Sequence, residues 1–333
     1  MGYFLVHGGS GNHSVEDRVR GICALLPERA EIFSPAPEED WRYGLAELGA
    51  LSRIRPGSLR RSTKFGDWCL FTAPGIGGGL RPGVRRGLWG WEPAGPITRS
   101  QGKILGRYRR IVVTGERAQS LLRRAGLGKT VVLGPDPTFL VESSPRDAEE
   151  LMVTDTVGIC LSAAVAGMEV RSGILYENYK HLIRWILRNT TWQIALIPYC
   201  VKKCRDDQLL HLALMREFAG EDRLVCRKDG SSRQLRYDLS LCRCCVGTAG
   251  VPAGWSCGVP GLCIGDSGRA RGLSATLFGT GEDAVVRVDS LRQEGDLAAQ
   301  FHQFLRREDA MRRRLEITVP RYRQWAKAWV WKS

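Results

Sequence analysis

Short apolar runs that stop at glycine or proline alternate with longer segments of helical periodicity along most of this sequence. That alternation restricts the fold more than any other feature. Each apolar run is too continuous to have one solvated face, so it reads as a strand covered on both sides. Strands of that kind, separated by helices, pair in parallel through right-handed crossovers. The strands are expected at Tyr3–His7, Trp68–Thr72, within Gly87–Gly95, and at Ile111–Thr114, Val131–Leu133, Val157–Leu161 and Gln193–Pro198. Leu239–Val246, Gly261–Gly265 and Ala284–Val288 add further strands or strand-like turns. Helices are expected from about Val15, with Val19, Ile22, Leu25 and Leu26 on one face, and over Glu116–Ala125, Tyr179–Leu187, Asp206–Phe218 and Ala298–Ile317.

A chain of 333 residues exceeds what one hydrophobic core usually serves. The polar stretch ESSPRDAEELMVTD, residues 142–155, interrupts the alternation midway and fits an inter-domain linker. The expected architecture is therefore α/β, with two Rossmann-like doubly wound domains in a GT-B-like arrangement around an inter-domain cleft. Residues 1–145 form the first domain, 146–155 the linker, and 156–333 the second domain with its C-terminal helix and Trp-rich tail, QWAKAWVWKS.

Composition narrows the partners. Lys and Arg number 49 against 35 Asp and Glu, a formal charge of +14. This favours phosphorylated substrates, acidic glycans or peripheral contact with an anionic membrane surface. The arginines fall in short groups, such as Arg107 to Arg110, without a helix-turn-helix, zinc-finger or RRM pattern, so nucleic acid is set aside. No apolar run approaches the roughly 20 residues of a membrane-spanning helix. The N-terminus lacks the basic start and apolar core of a secretory signal, so a cytoplasmic location is expected. The 11 cysteines show no paired C-x-x-C knuckles, which points to reduced thiols and away from a metal.

Three motifs carry candidate chemistry. HGGSGNHSVED places glycines between a strand and a helix N-terminus, where free N–H groups attract anions. It is neither G-x-G-x-x-G nor a Walker loop. Asn12 and His13 can face a cleft there, Glu16 can be a working carboxylate or only a dipole-stabilising one, and Ser14 with Asp17 resembles a capping box. Pro135-Asp136-Pro137 ends a strand and either presents Asp136 to a ligand or caps a turn. DSGRARG sets Arg269 and Arg271 in a glycine-flanked loop ahead of a helix, with Ser267 and backbone N–H groups completing an anion nest. Asp206-Asp207 reads as a helix cap, and His181, His211 and His302 as surface or packing residues.

The order of HGGSGNHSVED, LWGWEP, VTGERAQSLLRRAGL, VVLGPDPTFLV, VGICLS, LYENYKHLIRWIL, IALIPYC and GVPGLCIGDSGRARGLSATLFG resembles the polysaccharide pyruvyl transferase family. The resemblance implies transfer of the enolpyruvyl unit of phosphoenolpyruvate to two hydroxyls of a glycan or lipid-linked saccharide. A pyruvate ketal forms without a cofactor, and the first domain serves the acceptor and the second the donor. GTAGVPAG stands where that family carries Arg-x-His, and Tyr199 where it typically has His. On this reading His13, Glu16 and Tyr199 are the catalytic candidates. Asn12, Arg117, Asp136, Ser267, Arg269 and Arg271 bind substrate. Two alternatives stay open: a catalytically degenerate glycan-binding or regulatory homologue, and a nucleotide-sugar glycosyltransferase of the same architecture.

Overall fold

A computed structural model describes residues 2–75, 79–93, 95–146, 155–202, 205–265, 268–280, 284–329 and 331. It divides into two compact units. The first comprises Met1–Val141, Ser267–Gly272 and Tyr322–Ser333; the second comprises Glu142–Asp266 and Leu273–Arg321.

The first unit is built on a seven-stranded sheet of order β3-β2-β1-β4-β5-β6-β7. Its strands are β1 (Tyr3–Val6), β2 (Glu31–Ser34), β3 (Leu51–Arg53), β4 (Trp68–Phe71), β5 (Arg85–Trp89), β6 (Arg110–Val113) and β7 (Val131–Leu133). Every neighbouring pair is parallel, with Leu5 in register with Ile32 on one side and Leu70 on the other. Successive residues of each strand serve opposite faces. Phe4, Val6, Phe33, Phe71, Leu88, Ile111 and Val113 fill one core. Leu5, Ile32, Trp68, Leu70, Trp89 and Val112 fill the other, with Val19 and Ile22 of α1 (His13–Leu25). The remaining helices of this unit are α2 (Pro37–Arg42), α3 (Ser58–Ser62), α4 (Arg99–Leu105) and α5 (Glu116–Leu122).

Three features depart from the sequence expectation. The residue that caps α1 is Asn12, whose side chain accepts from the N–H groups of Ser14 (3.1 Å) and Val15 (3.3 Å). The stretch between residues 31 and 62 is regular, holding β2, α2, β3 and α3. The Trp-rich tail, expected in the second domain, packs in the first unit: Trp331 is 3% exposed and meets Trp68 edge-on at 5.0 Å and Trp89 in a stack at 5.4 Å. Apolar burial is the cause: Trp331, with Trp329 beside it, covers the Trp68–Trp89 face.

The second unit carries a six-stranded parallel sheet of order β12-β9-β8-β13-β14-β15. These strands are β8 (Thr156–Cys160), β9 (Gln193–Leu196), β12 (Leu224–Cys226), β13 (Cys244–Gly247), β14 (Gly261–Ile264) and β15 (Val285–Val286). A short antiparallel ribbon joins β10 (Val201–Lys202) to β11 (Arg205–Asp206). The helices of the second unit are α6 (Ile174–Asn189), α7 (Asp207–Glu217), α8 (Ser232–Ser240), α9 (Gly250–Ser256), α11 (Asp296–Leu305) and the larger parts of α10 (Gly268–Phe278) and α12 (Glu308–Ala328), whose residues 268–272 and 322–328 belong to the first. Residues 239–240 end α8 rather than begin a strand, and GVPAGWS is a helix buried at every position. The expected helix Ala298–Ile317 is two helices. Buried Glu308 starts the second, held by Arg243 (3.0 Å) and Arg312 (3.2 Å). Most of the expected linker, residues 147–154, lies outside the described residues.

Both sheets are doubly wound and parallel, the α/β architecture expected from the alternation of strands and helices.

Candidate functional site

In a parallel sheet the strand order reverses where ligands bind, beyond the carboxyl ends of the strands. In the first unit that reversal lies between β1 and β4. The loops along the carboxyl edge of this sheet, from β4 to β7, carry a dense polar construction.

Its centre is Asp136, just past β7 and 1% exposed. Asp136 Oδ1 accepts from the N–H (3.0 Å) and hydroxyl (2.7 Å) of Thr138, while Oδ2 accepts from Nε of Arg269 at 2.5 Å. Arg269 Nη2 donates in turn to Thr138 Oγ1 (3.0 Å). The backbone is fixed as well: the Asp136 N–H donates to the Tyr322 hydroxyl (2.7 Å), and Trp89 Nε1 to the Pro135 carbonyl (3.3 Å). Burial raises the Asp136 carboxyl, but Arg269 and the Thr138 bonds outweigh it and hold the group below the usual range.

Arg18 approaches the same place from α1. Its Nη1 donates to the carbonyls of Thr72 (3.3 Å) and Gly90 (3.1 Å), which end β4 and β5. Burial, and then the like charge of Arg269, lower the Arg18 guanidinium to about 10. Beyond β5, half-buried Glu92 accepts through Oε1 from the N–H (2.8 Å) and hydroxyl of Thr114. Its Oε2 lies against Gly115 and Gly272, where a Cβ would come within 3.7 and 3.6 Å of it. The edge thus brings together two guanidiniums, one carboxylate fully engaged and one engaged through a single oxygen.

Two buried networks lie behind this edge. His13 is 0% exposed, with Nδ1 2.9 Å from Glu16 Oε2; Glu16 Oε1 accepts from Arg20 Nε (2.9 Å), and Arg20 Nη2 donates to the Tyr43 carbonyl. His7 Nε2 lies 3.1 Å from Asp40 Oδ2, which also accepts from the hydroxyls of Ser10 (3.0 Å) and Ser34. These groups tie the glycine-rich loop and α1 to α2.

The carboxyl edge of the second sheet holds Asp207 and His211, one turn apart on α7. Asp207 Oδ2 accepts from the N–H groups of Tyr199 (3.1 Å) and Cys200 (2.8 Å). Burial raises its carboxyl to about 6 despite those bonds, and burial lowers the fully buried His211 imidazole to about 4.

Of the sequence candidates, Asp136 and Arg269 meet directly. Arg269 and Arg271 lie in the first turn of α10 rather than in a loop, and Arg269 is already paired with a carboxylate. Asn12 is spent as a helix cap, and His13 and Glu16 form a buried pair of the framework. Arg117 is exposed on the first turn of α5. Tyr199 is 1% exposed in the second unit, and Ser267 lies outside the described residues. Sequence reasoning passed over Arg18, Glu92 and Thr138. LWGWEP held a usable signal for Glu92, a carboxylate just past a buried strand's end.

Among the described residues no group of three or more His, Cys, Asp or Glu side chains is placed to hold a metal ion. None of their helices is long and apolar enough to cross a membrane.

No protein-family model and no curated protein matches the sequence. Solved structures do match over nearly the whole chain. S. aureus MnaA in complex with UDP superposes with a TM-score of 0.66 at 11% identity, covering 98% of this chain and 94% of that one. The Methanocaldococcus jannaschii UDP-GlcNAc 2-epimerase in complex with UDP-GlcNAc and UDP gives 0.60 at 10% identity, covering 92% of each chain. Anabaena Alr3699/HepE in complex with UDP-glucose gives 0.58 at 12% identity, covering 97% and 95%. The shared property at such identity is the fold, and the chain is GT-B-like. The pyruvyl transferase resemblance is overturned: no family model supports it, and the structural neighbours include UDP-GlcNAc 2-epimerases rather than pyruvyl transferases. Phosphoenolpyruvate loses its support as a donor with it.

Proposed function

We propose that this protein is a nucleotide-sugar enzyme that binds a UDP-sugar and acts on its sugar. The carboxyl edge of the first sheet would be part of its active site. The observation that carries this is buried Arg18, bonded to the carbonyls that follow β4 and β5 and within reach of the charge of Arg269, at the carboxyl edge of the first sheet. Burial, and then the like charge of Arg269, lower the Arg18 guanidinium, with Asp136 and Asp17 as partial counterweights. A phosphate oxygen or a polarised sugar hydroxyl is the natural third party. The fold likeness to proteins solved with UDP, UDP-glucose and UDP-GlcNAc supports the choice of ligand class.

The residues then divide their work. Arg18 and Arg269 neutralise charge on the bound ligand, and Thr138 with Asp136 holds Arg269 in one orientation. Glu92, anchored by Thr114 through one oxygen, offers the other to a sugar hydroxyl or carbon-bound proton as hydrogen-bond acceptor or base. His13, Glu16 and Arg20 act as positioning residues that fix the loop leading into α1.

Calorimetric titration with UDP, UDP-GlcNAc and UDP-glucose, with phosphoenolpyruvate alongside, tests the binding step. The expected result is saturable binding of the UDP ligands, at least tenfold weaker in Arg18→Ala. NMR of the sugar anomeric protons after incubation reads epimerisation or loss of UDP, which Glu92→Gln should slow by about 10²-fold or more. Failure of every UDP ligand to bind, or tight binding of phosphoenolpyruvate alone, would sink the reading.

A further inference from the structure

The opposite, amino edge of the first sheet holds a cavity of about 580 Å³, lined by Trp68, Tyr108, Arg107, Arg109, Arg110 and Lys129 together with Gly106, Thr130 and Val132. Its volume falls in the range of small-molecule sites, roughly 300–1,000 Å³. The described lining residues include four cations and no carboxylate.

The cations are presented by a fixed backbone. Arg109 N–H donates to the Arg86 carbonyl (2.9 Å), and Tyr108 N–H to the Leu105 carbonyl (3.0 Å). On the facing turn, the Thr130 hydroxyl donates to the Leu127 carbonyl (2.9 Å), and Ile111 N–H donates to the Thr130 carbonyl (2.8 Å), joining that turn to β6. The floor is aromatic. Trp68 lies under Arg110 at 6.0 Å and under Arg85 at 5.3 Å, and Arg110 also covers the ring of Trp331 at 5.2 Å. Burial, followed by the charge of Arg109, lowers the Arg110 guanidinium. Four cations around a ligand-sized hollow, with Arg109 opposing the charge of Arg110, suit an anion of more than one charge.

We infer that this amino-edge cavity is a second ligand site that takes a diphosphate group, with Arg107, Arg109 and Lys129 contacting its oxygens and Arg110 held on the tryptophan floor behind them. The site is separate from the carboxyl edge in sequence and in place, at the starts of β4, β6 and β7 rather than beyond the strand ends. It stands or falls independently of the nucleotide-sugar reading.

Calorimetric titration of the full chain with inorganic pyrophosphate at low ionic strength tests it. The wild type should bind saturably, with affinity falling steeply as salt is raised. Arg107→Ala/Arg109→Ala should weaken binding at least tenfold, Lys129→Ala should weaken it severalfold, and Arg269→Ala should keep it. Arg107, Arg109 and Lys129 are exposed, so the thermal midpoints of the variants at these three positions should stay within about 2 °C of wild type. Parallel titrations with UDP tell whether the diphosphate enters free or as part of a nucleotide. No binding by the wild type, affinity within twofold of wild type in Arg107→Ala/Arg109→Ala, or loss confined to Arg269→Ala would each overturn the site.

Discussion

Arg269 and Asp136, 133 positions apart in the chain, meet at 2.5 Å in the first unit, with Thr138 bonded to both. The carboxylate is 1% exposed, so its charge depends on the guanidinium for compensation. Arg269→Ala should cost about 3–5 kcal/mol at pH 7, read by urea denaturation. The pH dependence follows from the depressed Asp136 carboxyl. Its contribution is present above the ordinary value of 3.8 and is lost as pH falls through the lower folded value. The gap between wild type and variant should therefore narrow below about pH 4. A gap that stays constant into acid would show that the pair is not its source.

Gly21 offers a test in which two local rules disagree. It lies mid-helix on α1, where alanine is favoured by about 1 kcal/mol. A Cβ there would lie 2.0 Å from the carbonyl oxygen of Pro137 and 2.3 Å from its carbon. Backbone cannot yield as a side-chain tip can, so the clash wins. Gly21→Ala should destabilise by about 1–3 kcal/mol. A thermal midpoint above that of the wild type would contradict the close approach of α1 to the Asp136 turn.

His211 and Asp207 are buried with opposite consequences for pH. His211, lowered from 6.5 to about 4, contributes stability that is present above pH 6.5 and lost as pH falls toward 4. Asp207, raised from 3.8 to about 6, contributes stability that is present below pH 3.8 and lost as pH rises toward 6. Each is worth about 3 kcal/mol, and the two oppose each other over the interval they share. Relative to wild type, His211→Leu should gain about 3 kcal/mol as pH falls from 6.5 to 4, and Asp207→Asn should lose a similar amount. Parallel stability–pH curves for the three proteins would refute both assignments.

Trp331 should behave as a core residue despite its place near the end of the chain. Trp331→Ala removes a ring that is 3% exposed and in contact with Trp68 and Trp89. A loss of about 3–5 kcal/mol is expected in chemical denaturation. A loss under 1 kcal/mol would mean that the tail covers the sheet without supporting it.

How much of this could be read in the sequence depends on what each segment buries. β1, β4 and β8 were legible because both of their faces are covered, which leaves an unbroken apolar run. β3, Leu-Ser-Arg at the sheet edge, is only half-buried and looks like loop. α9 was missed for the opposite reason: buried on all sides, it has no polar face to mark a helical period. At the site, Asp136 and Arg269 were each singled out as substrate-binding residues but not as partners of one another, since no spacing rule relates positions so far apart. Arg18 lacked any motif, because its partners are the carbonyls of Thr72 and Gly90, which any residue could supply. The mistaken family resemblance has a physical source too. Strands ending in glycine or proline turns recur in every doubly wound sheet, so matching their order identifies an architecture and leaves the chemistry open.

Trp329 and Trp331, which close the first unit's core, follow the last residue of the second unit in the chain. Synthesis at roughly 5–20 residues per second places Trp331 some 10–40 s behind Val141. Through that interval the nascent first half carries an uncovered aromatic face around Trp68 and Trp89. Completion of this half thus waits until the second unit has been made, and a ribosome stalled between Val141 and Trp331 would leave behind a chain that chaperones and proteases can recognise.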